Sequence, residues 1–308
     1  MQAPQDFSLP RPMLRPVLLG ELLWDVLPTG EAIPGGAPFI VAWHLRGFGA
    51  DPLLLSAVGH DSYGDDMVAV VQDWGLDTRG IQRVAAAPTG TVQVQLQDGQ
   101  PTFVIPPDQA YDHVDGTLAR KAIPATAALL YHGTLACRTP QSRQMLADLH
   151  RHTGLPILVD INLRDPYWDA PFVREAVQRA RWVKLNQAEF QILTQQEATP
   201  AAVQQLCQDW DLEAALVTLG SRGAMIGTPE QVWMGDPVPV RHLADTVGAG
   251  DAFTSVWILG HSLGWDWPTI LARGLAFSSR LCEIPGGTTR DPDLYAEFRH
   301  AWGIAAQT

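Results

Sequence analysis

The sequence predicts an α/β protein with a mostly parallel central sheet flanked by helices, and two observations carry that expectation. Apolar runs of strand length alternate with stretches of helical periodicity along the chain, the pattern that sets parallel strands side by side under covering helices. With 308 residues, 46% of them apolar, the chain can bury the core such a sheet requires, as one large domain with an appendage or as two small domains. A third observation adds a separate β element. Between residues 89 and 105 the period drops to two: Val92, Val94 and Leu96 alternate with Gln93, Gln95 and Gln97, a turn follows at Asp98-Gly99, and Phe103 and Ile105 continue beyond it. That pattern is a hairpin.

Composition removes several classes of function. The formal charge is -12, from 33 acidic and 21 basic residues, and Lys and Arg form no dense run, so nucleic acid and membrane surfaces are not expected partners. No apolar run is long enough to cross a bilayer. Cys137, Cys207 and Cys282 are odd in number, with neither paired spacing nor a nearby His in a metal-ligand pattern, and read as reduced thiols of a cytoplasmic protein. Residues 1–16, rich in proline and without an apolar core, read as a loose leader ahead of a domain spanning 17–308.

Residues 17–23 fit a buried first strand, which puts Asp25 at its C-terminal end, where open α/β sheets bind their ligands; a solvated turn is the alternative. Gly35 and Gly36 then precede a helical pattern of Val41, Ala42, Leu45 and Phe48, and two glycines there let a ligand approach the backbone. Residues 53–58 read as a strand and 67–74 as an amphipathic helix, joined by a turn in which Asp61 is structural. Strands over 127–131 and 155–160 enclose a helix over 142–152. Past them Asp160, Asn162 and Arg164 alternate, so they project together, and the planar fork of Arg164 suits a phosphate, a carboxylate or a surface ion pair. A strand over 180–185 leads to Asn186 and Glu189, which share a helical face as a ligand pair or as a cap and its capping partner. A strand over 214–219 leads to Gly220 and Gly223, and a last helical run covers 271–281.

The chemistry concentrates in residues 245–253, DTVGAGDAF, with a β-leaning run (Val238, Pro239, Val240) behind and an apolar helical run ahead. A glycine-rich turn entering a helix leaves N–H groups unpaired at the positive end of the helix dipole, and such a place holds anions. A carboxylate there, Asp251, can take a proton from a hydroxyl as that hydroxyl attacks phosphorus; helix capping is the plainer alternative.

DTVGAGDAF, Gly35-Gly36, Gly59-x-Asp61-x-x-Gly64, Asn186-x-x-Glu189 and Thr218-x-Gly220-x-x-Gly223 together resemble the motifs of the ribokinase-like (PfkB) carbohydrate kinases, the family of fructokinases and adenosine kinase. The Asp160-x-Asn162-x-Arg164 string is similar to those of fructokinases and ketodeoxygluconate kinases, and the resemblance runs from about Val17 to about Thr289. It implies a fructokinase-like enzyme that moves the γ-phosphoryl group of ATP to a sugar hydroxyl, on a ribokinase-like fold whose small β lid comes from strands near 26–34 and 89–106. It further implies Asp251 as base, with the amides of Gly248, Ala249 and Gly250 as the anion hole. Asp25, Gly35, Gly36, Phe103 and Arg164 would surround the sugar, and Asn186, Thr218, Gly220 and Gly223 would serve the nucleotide. Glu189 would order Mg2+ through water, and Asp245, with the loop at Gly286 and Gly287, would serve a monovalent cation such as K+. Lids of this family can pair, so a homodimer is also an expectation.

One departure stands out. Ile40 occupies a position where relatives usually carry an Asn that hydrogen-bonds sugar hydroxyls, so either the substrate differs at that hydroxyl or its binding is weakened. A sugar acid or nucleoside as acceptor, and a catalytically idle sugar-sensing protein, are the rival readings.

Overall fold

The structure, a computed structural model, describes residues 15–97 and 100–304. The chain opens with β1 (Arg15–Leu19), β2 (Leu23–Val26), β3 (Ala32–Gly35), α1 (Ala37–Gly47), β4 (Leu53–Gly59), α2 (Ser62–Asp73) and β5 (Ile81–Val84). The hairpin β6 (Gly90–Gln97) and β7 (Gln100–Val104) follows, then α3 (Gly116–Ala122), β8 (Ala127–His132), α4 (Pro140–Thr153), β9 (Ile157–Asp160) and α5 (Ala170–Gln178). The rest is β10 (Trp182–Asn186), α6 (Gln187–Thr194), α7 (Pro200–Asp209), β11 (Ala214–Thr218), β12 (Ala224–Gly227), β13 (Val232–Gly235), α8 (Ala249–Leu263), α9 (Trp267–Leu281) and α10 (Pro292–Trp302).

Nine strands form the central sheet in the order β13-β12-β11-β10-β9-β8-β1-β4-β5, parallel except at the β11-β12-β13 edge. Its near-continuous apolar strands are what a sheet covered on both faces requires. Successive residues divide between two cores: Leu18, Leu54, Leu158 and Leu216 pack under α1, α2 and α8 to α10, whereas Val17, Leu55, Val159 and Val217 pack under α3 to α7. No helix of the described residues is long and apolar enough to cross a membrane.

The second sheet, β3-β2-β6-β7, is the expected small β lid. The hairpin pairs Val94 with Phe103 and Gln93 with Val104, and its Asp98-Gly99 turn lies outside the described residues. Leu23, Val92, Tyr111 and Ala136 form a small core beneath it.

Three expectations need correction. The run over 17–23 is not one strand: β1 ends at Leu19, the Gly20 amide donates to the Leu55 carbonyl, and the chain enters the lid at Leu23. Asp25 therefore stands on the lid strand β2, opposite Ile33, not at the end of a central strand. β1 also begins at Arg15, so the last two residues assigned to the leader belong to the sheet. The β-leaning run Val238 to Val240 forms no strand, because Pro237 and Pro239 have no N–H to give a ladder, and Val238 is exposed; the edge strand lies earlier, as β13.

Candidate active site

A cleft of about 720 Å3 opens where the lid faces the C-terminal ends of the central strands. Asp25, Gly36, Ile40 and Phe103 line it from the lid and α1; Asn186 and Thr218 line it from the ends of β10 and β11; Gly248, Gly250 and Asp251 form its floor. Residues far apart in sequence thus meet where parallel sheets place their ligands.

The floor is the first turn of α8. Gly248 caps the helix with φ 78°, a left-handed conformation that glycine takes without strain, and a β-carbon there would lie 2.6 Å from Gly287 Cα. The amides of Gly248, Gly250 and Asp251 meet no carbonyl among the described residues, as the first turn of a helix leaves them. The Ala249 amide differs from the expectation: it donates to the Thr246 carbonyl at 3.3 Å, so it is not an open donor of the anion hole. Asp251 is not the cap, since Gly248 holds that position and no side chain caps the helix. Burial raises the Asp251 carboxyl to a pKa of about 7; Lys184 and Arg164 oppose the rise, while Asp160 and Glu21 add to it.

The lid side of the cleft is built by close approach. A β-carbon on Gly35 would overlap the Asp25 carboxylate, and one on Gly36 would overlap the backbone of Glu21, so both glycines make room for acidic residues. Asp25 is raised to about 6 by burial and by Asp245, with Arg164 acting in the opposite sense. Ile40 is 4% exposed and reaches Gly287, where a β-carbon would meet its Cδ1 at 2.7 Å. Phe103 is 50% exposed on β7.

Arg164 also lines the cleft and has no ion pair among the described residues, so the surface-pair alternative fails; its Nη1 donates only to the Leu163 carbonyl, at 3.0 Å. The alternation that was to project Asp160, Asn162 and Arg164 together does not hold. β9 ends at Asp160, Asn162 turns left-handed with φ 39°, and Asp160 is withdrawn into the interior while the other two face the cleft.

At the end of β10 the capping alternative is what forms. Asn186 Oδ1 accepts from the Glu189 amide at 3.0 Å, and Glu189 Oε2 accepts from the Asn186 amide at 2.8 Å. Glu189 Oε1 accepts from the Leu163 amide at 2.9 Å, so both oxygens are engaged and the residue is buried off the cleft wall. Among the described residues no group of three or more His, Cys, Asp or Glu stands together to hold a metal. Gly220 and Gly223 sit past β11 but not on the cleft wall; a β-carbon on Gly223 would overlap the Gly235 carbonyl, so that glycine serves strand packing. Asp245 accepts from the amides of Val247 (3.0 Å) and Gly286 (3.2 Å), which ties the DTVGAG turn to the glycine loop.

Two residues were not identified as site residues from sequence. Lys184, in the middle of apolar β10, donates to both Asp160 oxygens at 3.0 and 2.9 Å and lines the cleft beside Asp251. Burial opposes its charge, but Asp160, Asp251 and Glu189 hold it protonated, above the ordinary lysine value. A lone lysine inside a buried strand was the available signal. Glu21, 2% exposed, accepts from the Ala37 amide at 3.2 Å and so caps α1 in place of Gly36; burial raises its pKa.

Known proteins resemble this chain in sequence and in fold. The chain is 27% identical to the fructokinase of Escherichia coli over 259 residues, 80% of this chain and 83% of that one. It is 26% identical to fructokinase-1 of Zea mays over 260 residues, 77% and 80%. The solved fructokinase of Xylella fastidiosa with bound ATP superposes with a TM-score of 0.83 at 20% identity, over 94% of this chain and 99% of that chain. The Vibrio cholerae fructokinase in a fructose, ADP and calcium ion bound form gives 0.77 at 24% identity, over 92% and 99%. The description "pfkB family carbohydrate kinase" matches residues 26–294, and with that span covered the chain belongs to this family of carbohydrate kinases.

Proposed function

We propose that this carbohydrate kinase is a fructokinase: it moves the γ-phosphoryl group of ATP to a hydroxyl of a ketohexose. The observation that carries the reading is Asp251, a carboxylate with pKa about 7 on the cleft floor, beside amides that have no protein partner among the described residues. The sugar lies between Asp25, Ile40 and the lid, and its hydroxyl gives its proton to Asp251, a type of step worth about 10²–10⁴ in rate. The transferring group's charge rests on the amides of Gly248 and Gly250, and most of the remaining acceleration is positioning and electrostatics. Asn186 and Thr218 hold the nucleotide, with Gly220 and Gly223 shaping its loop. Lid closure keeps water from the phosphoryl group.

The relatives named fructokinase, and the Vibrio cholerae form bound to fructose and ADP, support the substrate pair. Mg2+ would neutralise phosphate charge alongside ATP, with Glu189 acting on it only through water, because its oxygens already serve two amides. Asp245 and the loop at Gly286 and Gly287 are the place for K+. The unit is a single kinase domain that begins at Arg15, with the lid as its appendage. Buried Cys137 and Cys207 favour a cytoplasmic setting, and the exposed Phe103 and Val104 on β7 favour a lid-to-lid homodimer.

A second reading has a specific observation behind it. Ile40 offers no hydrogen bond to a sugar hydroxyl, and Arg164 presents a guanidinium without an ion pair among the described residues, which the carboxylate of a sugar acid would engage. ATP consumption measured against fructose, sugar acids and nucleosides decides: stimulation by fructose above the others supports the fructokinase reading, and stimulation by a sugar acid alone replaces it.

A further inference from the structure

Lys184 belongs to none of the motifs that identify the family site, yet its ammonium stands directly below the anion hollow. A β-carbon on Gly250 would lie 3.1 Å from Nζ, so the missing side chain at 250 leaves the ammonium facing the first turn of α8. An ammonium has three N–H donors, and Asp160 takes two of them. The third has no protein acceptor among the described residues.

A purely structural ion pair would give a poorer account of this placement. Burying a lysine and an aspartate costs desolvation that two apolar side chains would avoid, and such pairs are weak contributors to stability. This pair is also not sealed in the core: Lys184, 7% exposed, lines the cleft with Gly250 and Asp251, while Asp160 behind it is fully buried. A carboxylate that holds two of the three donors fixes the direction of the remaining one.

We propose that Lys184 is a catalytic residue, whose third N–H donates across the gap at Gly250 to a non-bridging oxygen of the phosphoryl group in transfer, with Asp160 as its positioning partner. This rests on the kinase reading above. The ammonium keeps its proton throughout. The sugar oxygen forms the new bond to phosphorus, its proton passes to Asp251, and the electron pair of the breaking P–O bond stays with the β-phosphate oxygen of ADP. The charged groups facing Lys184 are Asp160, Asp251 and Glu189; those facing Asp251 are Lys184, Asp160, Glu21 and Arg164.

The test uses the full chain with Lys184→Met combined with Asp160→Asn, which leaves no unpaired buried carboxylate, and with Lys184→Arg as a second variant. Calorimetric binding of a non-hydrolysable ATP analogue and of ADP is measured on each, followed by steady-state kinetics with fructose. The wild type is expected to bind the triphosphate more tightly than the diphosphate. The double variant should lose that preference, and its kcat should fall by about 10²–10³-fold, as on removal of one anion-hole donor, with the sugar KM within a few-fold. Lys184→Arg should recover part of the preference. A triphosphate preference equal in wild type and double variant overturns the proposal, as does its absence from the wild type or a kcat within threefold of wild type. A wild type that prefers the triphosphate but is stimulated by no sugar counts against the kinase reading instead, and the binding comparison still decides the role of Lys184.

Discussion

The carboxylate of Asp25 occupies the space that a side chain on Gly35 would need, with Asp25 Cγ 3.1 Å from the β-carbon position. Asp25 on β2 and Gly35 on β3 are thus one device: the glycine lets the antiparallel lid strands hold a half-buried carboxylate on the cleft wall. Gly35→Ala is expected to push Asp25 from its place and raise the sugar KM about tenfold or more, with ATP affinity unchanged. Steady-state kinetics and calorimetry together check it, and an unchanged KM removes Asp25 from the sugar site.

Ile40 tests the specificity of the pocket. With the sugar in the proposed place beside Ile40, a hydroxyl that faces this side chain finds no partner on it, and leaving such a group unpaired costs about 1–3 kcal/mol. Ile40→Asn is expected to lower the KM for fructose about fivefold or more. A KM that does not move would place Ile40 away from the sugar.

A histidine pair, His132 buried and His150 half-buried, sets a dependence of stability on acid. The rings of His132 and His150 stand 5.4 Å apart, and His132 Nε2 and both nitrogens of His150 have no hydrogen-bond partner among the described residues. Burial lowers His132 to about 4 and His150 to about 3, below the ordinary value of 6.5. Below about pH 6.5 the unfolded chain takes up protons that the fold refuses, so this contribution is intact above 6.5 and is lost as pH falls toward 4 and 3. His150→Phe keeps an aromatic ring and abandons no hydrogen bond. It should leave Tm at pH 7.5 near that of wild type and reduce the loss of stability between pH 7 and pH 4 by on the order of 2 kcal/mol. Equal acid sensitivity in the two proteins would contradict this.

Raised carboxyls act with the opposite sign. Asp251 titrates near 7 in the fold and near 4 when unfolded, so it costs stability increasingly from pH 4 to 7. Asp251→Asn should therefore melt higher than wild type at pH 8 and close to it at pH 4, by differential scanning calorimetry. A lower melting temperature at pH 8 would indicate a structural carboxylate.

The parts of this fold that were legible in the sequence are those set by local pattern. The central strands β4 and β8 to β11 and the helices α1, α2, α4, α8 and α9 followed from periodicity, and the α8 turn followed from DTVGAG, because a glycine turn at a helix start needs only neighbouring residues. What escaped depends on partners distant in sequence or on the path of a single turn. Nothing near Leu23 reveals that β2 leaves the central sheet to pair with β3 and β6. The capping pair of Glu189 with Asn186 was open in the sequence, but the Leu163 amide, 26 positions away, that takes its other oxygen was not. Ala249 resembles an anion-hole donor until the local turn directs its amide to Thr246. Lys184 gains its meaning only once Asp160 and Gly250 are set around it.

The most direct measurement is the pH dependence of fructose-stimulated ATP consumption in wild type and Asp251→Asn, with ATP affinity determined alongside. Because the base must be ionised to accept the hydroxyl proton, wild-type kcat/KM should climb with pH and level off above about 7. Asp251→Asn should lose at least about 10²-fold in turnover while still binding ATP. Turnover near the wild-type level in that variant would contradict the account at its centre.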